Sequence, residues 1–359
     1  TVDAAGILDS SGIGNDLTPQ AGGKDVVYQP SPSSGHPAAV LPIDHDDQEN
    51  GSRLEALTLS CSLVDGISGV VVFDAPATSM HRSLGPGPGI RDIMFYGVTL
   101  QIVIRRIDTD RTGRLTIILP GGTTFQTTNA LAQRNVLAWS VSETGARIWL
   151  NGVVTTHTHS VTGSTQAGLR FGGNWTASPN DTAAFWRLYR MQSYDEALSG
   201  TDLDTLAQSM ATTYGVPANP SEVLHIFGDS NSAGFRPDNS LTWPHVALLD
   251  SPSRRVYNWS AAGEGYSGQE TTAQSGALQE RNALATLDHS FIVAFGSNDI
   301  AGGQSANDVF SNISDFIADR RAAGFGGQCY VSTVYDRTDL SSGEQTERAS
   351  LNTQIRGGA

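Results

Sequence analysis

The chain has 359 residues, of which 38% are apolar and 16% charged, and a formal net charge of −14. At roughly 100–200 residues per domain this length gives two domains. Ordinary apolar content excludes a disordered chain, and no apolar run approaches the ~20 residues that cross a bilayer. The 22 basic residues are scattered and outnumbered by 36 acidic ones, which excludes a nucleic-acid footprint and favours a neutral partner.

From the N-terminus to about Gly173 the pattern is short strands between turns. Leu57 to Leu63 alternates, with Cys61 on its apolar side, and Val70 to Phe73 is a continuous apolar run that fits a strand covered on both faces. Leu100, Ile102 and Ile104 alternate with Gln101, Val103 and Arg105. Ile148 and Leu150 alternate with Arg147 and Trp149, and Asn151-Gly152 follows as a hairpin turn. Many short strands without helical periodicity predict a jelly-roll β-sandwich. Ser199 to Asp202 then has the form of a capping box. Leu203, Leu206, Ala207 and Met210 recur at helical spacing, and Gly215 supplies the stop. Pro217 to Pro220 is stiff and cannot continue a helix. The expected domains are therefore residues 1–216, a linker at 217–220, and residues 221–359.

After Ser221 the pattern changes to strand, turn and helix. Val223 to Phe227 reads as a strand ending in the Gly228-Asp229-Ser230 turn. Arg255 to Asn258 is a second strand, and Phe291 to Phe295 a third, followed by Gly296-Ser297-Asn298-Asp299. A helix capped by Ser305 through Asp308 carries Val309, Ile313, Phe316 and Ile317 on one face and stops at Gly324. Cys329 to Val334 is the fourth strand, and a further helix starts near Ser341. Such alternation predicts a parallel sheet with helices on both faces and a ligand site at the carboxyl ends of its strands. Both cysteines, Cys61 and Cys329, read as buried core thiols. No signal peptide is visible, and a processed or excerpted N-terminus stays open, since the chain starts at Thr1.

Three polar clusters fall at those strand ends. Ser230 lies in a tight turn, where its hydroxyl and backbone N–H face the crevice. Gly263-Glu264-Gly265-Tyr266-Ser267-Gly268-Gln269 is a glycine-rich stretch whose bare backbone admits a substrate oxygen. Asn298 offers a neutral amide donor. A nucleophile with two or three converging donors is what acyl transfer requires. Taken singly, each cluster is more often an ordinary turn or cap; the three in order at successive strand ends favour the chemical reading.

The first half, through Ser11 to Leu17, Ile148 to Gly152 and Tyr194 to Ser199, resembles the concanavalin A-like, laminin-G-like sandwiches attached to secreted enzymes and phage tail proteins. The second half resembles SGNH (GDSL-like) hydrolases, through Ile226-Phe-Gly-Asp-Ser230-Asn231, Gly265-Tyr-Ser-Gly268-Gln269 and Gly296-Ser-Asn298-Asp299. That resemblance implies a three-layer, flavodoxin-like α/β domain. It also implies Ser230 as nucleophile and an oxyanion hole from the N–H groups of Ser230 and Gly268 with the Asn298 amide, Gly263 and Gly265 competing for the place of Gly268. Asp229, Asn231, Gly265, Ser297 and Asp299 are expected around the substrate. The family's base lies in a final Asp-x-x-His block, whereas no histidine follows His289. Neither His225, His245 nor His289 is a persuasive substitute. Two explanations stand: a chain that stops short of that block, or a domain that binds without cleaving. The resemblances together imply a serine esterase on an acylated glycan or small ester, most often an O-acetyl group. Such sandwiches sometimes bind glycans through calcium, but no acidic cluster here has calcium-loop spacing, so no metal or cofactor is expected. The competing expectation is a glycan-binding or structural protein with an inert hydrolase-like domain. An extracellular or virion-associated location fits both, as does assembly into a homo-oligomer or a virion. Trp149 and Trp175 are either sugar-stacking platforms or core residues, the second being commoner.

Overall fold

The structure, a computed structural model, describes residues 2–3, 6–7, 18–19, 27–29, 36, 38–40, 54–74, 90–96, 102–107, 113–119, 122–132, 134–161, 165–171, 187–229, 232, 253–260, 263–270 and 274–358. Up to Tyr194 its elements are strands: β1 (Val2–Asp3), β2 (Gly6–Ile7), β3 (Thr18–Pro19), β4 (Val27–Gln29), β5 (Ala38–Val40), β6 (Leu54–Ser62), β7 (Ile67–Asp74), β8 (Ile90–Tyr96), β9 (Ile102–Ile107), β10 (Arg114–Ile118), β11 (Thr124–Ala130), β12 (Arg134–Val141), β13 (Gly145–Leu150), β14 (Val153–Thr158), β15 (Thr165–Phe171) and β16 (Arg187–Tyr194). They build two seven-stranded antiparallel sheets, ordered β11-β10-β9-β8-β15-β6-β3 and β14-β13-β12-β7-β16-β5-β4, beside the β1-β2 ribbon.

The two sheets share a core. Ile104, Leu115, Ile117 and Leu169 of the first pack in one cluster with Val71, Phe73, Leu137, Trp139 and Ile148 of the second. Helix α1 (Gly200–Thr213) covers the other face of the second sheet, where Leu203, Ala207 and Ala211 meet Val70, Val72, Val136, Ala138 and Trp149. This two-sided burial is why β7 and β12 are buried along their whole length and why Val70 to Phe73 does not alternate. It also places Trp149 in a core, 3% exposed, the commoner of the two readings its sequence allowed; Trp175 lies outside the described residues. Ser199 caps α1 by accepting the Asp202 N–H at 3.2 Å, and Gly215 follows at φ +66°. The β13–β14 hairpin turns on Asn151 and Gly152, both at positive φ, with Leu150 opposite Val153.

Gly69 on β7 lies under the Trp139 indole. A Cβ there would overlap the ring and sit 2.8 Å from the Gln192 carbonyl oxygen. Gly69→Ala is therefore expected to cost about 1–3 kcal/mol by overpacking, measured as a lower urea midpoint at unchanged slope.

Beyond α1 the sheet is parallel, ordered β18-β17-β19-β20, with β17 (Glu222–Gly228), β18 (Arg254–Asn258), β19 (Asp288–Ala294) and β20 (Cys329–Val331). Between and after these strands come α2 (Tyr266–Gly268, a single turn), α3 (Gln274–Ala283), α4 (Ser297–Ala301), α5 (Ala306–Ala322) and α6 (Ser342–Gly358). Val309, Ile313 and Phe316 of α5 and Leu351 and Ile355 of α6 pack against Phe227, Val293 and Phe295. The opposite face carries the buried Leu224, Ile226 and Val256; most of the chain joining β17 to β18 lies outside the described residues. No helix among the described residues is long and apolar enough to cross a membrane.

Two expectations change here. The fourth strand ends at Val331, not Val334, because the Asn352 side chain of α6 takes both the N–H and the carbonyl of Val334, each at 2.7 Å. Cys329 is half-buried rather than a core thiol, since β20 is a sheet edge with Tyr330 56% exposed. The Cys61 side chain lies outside the described residues.

Buried polar groups join the antiparallel and parallel parts. Arg255 of β18 donates to the Asn151 and Pro217 carbonyls. Glu280 of α3 accepts the Ala130 N–H at 2.5 Å. Burial pushes the Glu280 carboxyl up to about 7, against the pull of the Tyr257 hydroxyl, the Ala130 N–H and Arg255.

Candidate active site

The strand order reverses on either side of β17, so the crevice opens at the carboxyl ends of β17 and β19. At the end of β17, a Cβ on Gly228 would fall 2.5 Å from the Ser232 hydroxyl oxygen. Only glycine lets the turn fold back this tightly. Asp229 is 2% exposed and accepts the Ser297 hydroxyl at 2.7 Å. Ser232, also buried, accepts the Asn258 amide N–H at its carbonyl, 2.8 Å away. The turn is thus held on both sides, by β19's terminus and by β18's. Ser230 and Asn231, and with them the expected nucleophile, lie outside the described residues.

At the end of β19, Gly296 takes φ +118° and starts α4. That reversal places Ser297, Asn298 and Asp299 in one helical turn over the crevice. The Asn298 amide donates to the Glu264 carbonyl at 2.8 Å and accepts from Arg337 at 3.1 Å. Asp299, 6% exposed, receives the Tyr266 N–H at 3.0 Å on one oxygen and 3.2 Å on the other. Burial raises the Asp299 carboxyl above its ordinary range; the Tyr266 N–H opposes this and the nearby Asp229 charge adds to it.

The glycine-rich stretch closes the third side, and its two candidate glycines differ in their neighbours. A Cβ on Gly265 would overlap the Asp299 carboxyl, and one on Gly268 would overlap the Glu264 carboxyl. Gly265 therefore serves the close approach of Asp299, and Gly268 sits under an acidic side chain. Asp229, Gly265, Ser297, Asn298 and Asp299 are brought together by direct hydrogen bonds or contacts; Gly268 joins through Glu264.

The two described histidines of this part stand apart from the crevice. Trp259 donates its indole N–H to His225 Nδ1 at 2.9 Å. His225 Nε2 lies 3.0 Å from His289 Nδ1, and His289 Nε2 lies 3.0 Å from the Leu284 carbonyl. With Nε2–H on both rings, every donor in this chain meets an acceptor and both imidazoles are neutral. Burial lowers both, His225 strongly, and its charged-state repulsion with His289 and Arg320 adds to this. His245 lies outside the described residues.

Three groups escaped the reading of the sequence: Glu264, the Arg320–Glu270 pair (3.7 Å, Arg320 fully buried) and Arg337. Arg337 follows β20 at the same edge of the sheet, so the strand-end rule applied to the fourth strand would have found it.

No family model matches the chain, and no curated protein matches it. Among solved structures it is similar to domain 4 of AbnA, a GH43 extracellular arabinanase from Geobacillus stearothermophilus in complex with arabinotriose. That likeness has 18% identity and a TM-score of 0.39, covering 56% of this chain and 93% of that one. A member of the lipolytic G-D-S-L family from Veillonella parvula matches at 16% identity and a TM-score of 0.30, over 38% of this chain and 71% of that one. The botulinum neurotoxin serotype G binding domain matches at 12% identity and a TM-score of 0.39, over 57% of this chain. The chain spans about half the length of the neurotoxin binding domains it matches.

Proposed function

We propose that the chain is a serine esterase of SGNH type that removes acyl groups, O-acetyl above all, from carbohydrate. On this reading residues 1–216 form a glycan-positioning sandwich, 217–220 a linker and 221–359 the hydrolase domain, working outside the cell or on a virion. The observation that supports it is the convergence of Asp229, Ser297, Asn298 and Asp299 with the Gly265–Gly268 turn at the carboxyl ends of adjacent parallel strands.

In this reaction the Ser230 hydroxyl oxygen attacks the ester carbonyl and its proton passes to a base. The oxyanion is held by the N–H groups of Ser230 and Gly268 and by the Asn298 amide. Collapse expels the sugar oxygen, which takes that proton back from the base and leaves as the free hydroxyl; the acyl-serine that remains is then hydrolysed by water. His225 and His289 bond to each other in the core, so the base is a group other than these two.

The same observation favours a second reading, in which the domain binds esterified glycan without cleaving it. Hydrolysis of nitrophenyl acetate by the full chain separates the two. Turnover that falls at least about 10³-fold in Ser230→Ala is expected for the esterase. Silence of the parent chain with retained glycan binding selects the second reading.

A further inference from the structure

Arg337 stands in the loop 332–341, between β20 and α6, and has no part in the motifs of the sequence. Its guanidinium is divided between two jobs. Nε and Nη2 grip the Asp339 carboxylate at 3.0 and 2.6 Å. Nη1 reaches the Asn298 side-chain oxygen at 3.1 Å, the Ser297 hydroxyl at 3.4 Å and the Ser297 carbonyl at 3.5 Å. Asp339 is 64% exposed and Arg337 only 19%. The outer carboxylate therefore aims the inner end of the fork at the strand terminus.

The loop that carries Arg337 is fastened to one face of α6. Gln345 donates to the Arg337 carbonyl at 2.5 Å. Arg348 bonds Gln345 at 2.8 Å and pairs with Asp336 at 3.2 Å. Asn352 takes both polar groups of Val334. Residues 345, 348 and 352 recur at the spacing of one helix face, so the loop is fixed along its length.

The consequence falls on Asn298. A side-chain amide has two donor hydrogens and one acceptor oxygen, and its two ends are close to equal in shape. Arg337 engages the oxygen and the Glu264 carbonyl takes one hydrogen. The amide is thereby held in one orientation, with a single N–H left unengaged among the described residues. A cationic donor on the amide oxygen also polarises the group and strengthens that remaining N–H. Through Ser297, whose hydroxyl donates to Asp229, the same guanidinium is linked to the residue preceding Ser230.

We infer that Arg337 is the positioning residue of the oxyanion hole, locking and polarising the Asn298 amide while Asp339 locks Arg337. Its effect on catalysis rests on the esterase reading; its effect on the amide does not. Lysine keeps the charge but lacks the fork that holds Asp339 and Asn298 together.

The test compares the full chain with Arg337→Met, Arg337→Lys, Asp339→Asn and Ser230→Ala, using nitrophenyl acetate and the isotope-labelled side-chain amide of Asn298, assigned by its loss in Asn298→Asp. Where the parent chain turns over and Ser230→Ala does not, Arg337→Met is expected to lower kcat about tenfold, KM staying within about twofold. That loss is smaller than the 10²–10³-fold of deleting a donor outright. Arg337→Lys and Asp339→Asn should fall between, and the Asn298 amide signal should move in all three. Parental kcat in Arg337→Met overturns the positioning role and leaves the esterase reading standing. Where the parent chain is silent, or Ser230→Ala matches it, the esterase reading fails and the amide signal alone decides. A signal that stays at its parental position in Arg337→Met overturns the inference. Should Arg337→Met not fold, Asp339→Asn carries the same two readouts, because it alters only the outer end of the guanidinium.

Discussion

Asp74→Ala is expected to lower the unfolding free energy by about 3–5 kcal/mol, the range for breaking a buried ion pair from one side. Asp74 ends β7 and is 2% exposed. It accepts from Arg134 Nε at 2.9 Å and the Tyr189 hydroxyl at 2.6 Å, with Arg187 Nη1 at 3.7 Å. Arg134 and Arg187 are 8% and 4% exposed, so deletion of the carboxylate leaves two guanidinium groups in the protein with no counter-charge from Asp74. Arg134 also donates to the Tyr214 carbonyl at 3.2 Å, which ties α1's last turn to the same carboxylate. The damage should therefore include looser docking of α1. Asp204→Ala is the internal control: its pair with Arg147 is 37% and 30% exposed on the two sides, and its loss should cost less than about 1 kcal/mol. Equal urea midpoints for the two variants would refute the burial argument.

Acid should weaken the fold through the Trp259–His225–His289 chain, with Glu280 acting in the opposite sense. Both imidazoles are held below their ordinary range. Below pH ~6.5 the unfolded chain therefore takes up protons that the folded chain refuses, and stability drops as pH falls. Two groups give a slope of up to about 2.7 kcal/mol per pH unit. Glu280 is held up at about 7, so between pH ~4.5 and 7 the folded state keeps a proton that the unfolded state releases. That contribution grows as pH falls and opposes the histidine slope. Glu280→Gln preserves an acceptor for the Ala130 N–H and removes the titration. It should steepen the loss of stability between pH ~6.5 and ~5, read from urea midpoints across that range. An unchanged slope in Glu280→Gln would show that this carboxyl does not titrate as described.

How much the residues disclosed in advance depended on how local the cause was. The Ser199 cap, the Asn151-Gly152 turn and the Ser305 cap are each settled within four or five residues, and each forms as its sequence predicts. Val70 to Phe73 reveals that both faces are covered, but not that α1 does the covering. Trp149 has the same ambiguity: its strand position is readable, whereas its burial depends on a helix fifty residues further on. At the strand ends, parallel topology assembles Asp229, Ser297, Asn298 and Asp299 from short motifs. Arg337 carries no motif, and Glu264 sits inside the glycine-rich motif without being singled out by it, because their roles arise from contacts across loops. The His225–His289 contact joins neighbouring strands 64 residues apart in sequence, which no local pattern records.

The strand order of the second antiparallel sheet bears on how the chain emerges during synthesis. β16 lies between β7 and β5, so residues 187–194 fill a gap between strands made more than a hundred residues earlier. Until they arrive, β7 presents an open edge to whatever else is nascent, and long-range closures of this kind are slow. Synthesis must run through residue 194 before the sandwich can seal. Only then does α1 gain a finished surface, and the Asn151 turn that Arg255 grips is ready before the parallel strands appear. Vectorial synthesis thus favours a ready-made template on which the second half can condense.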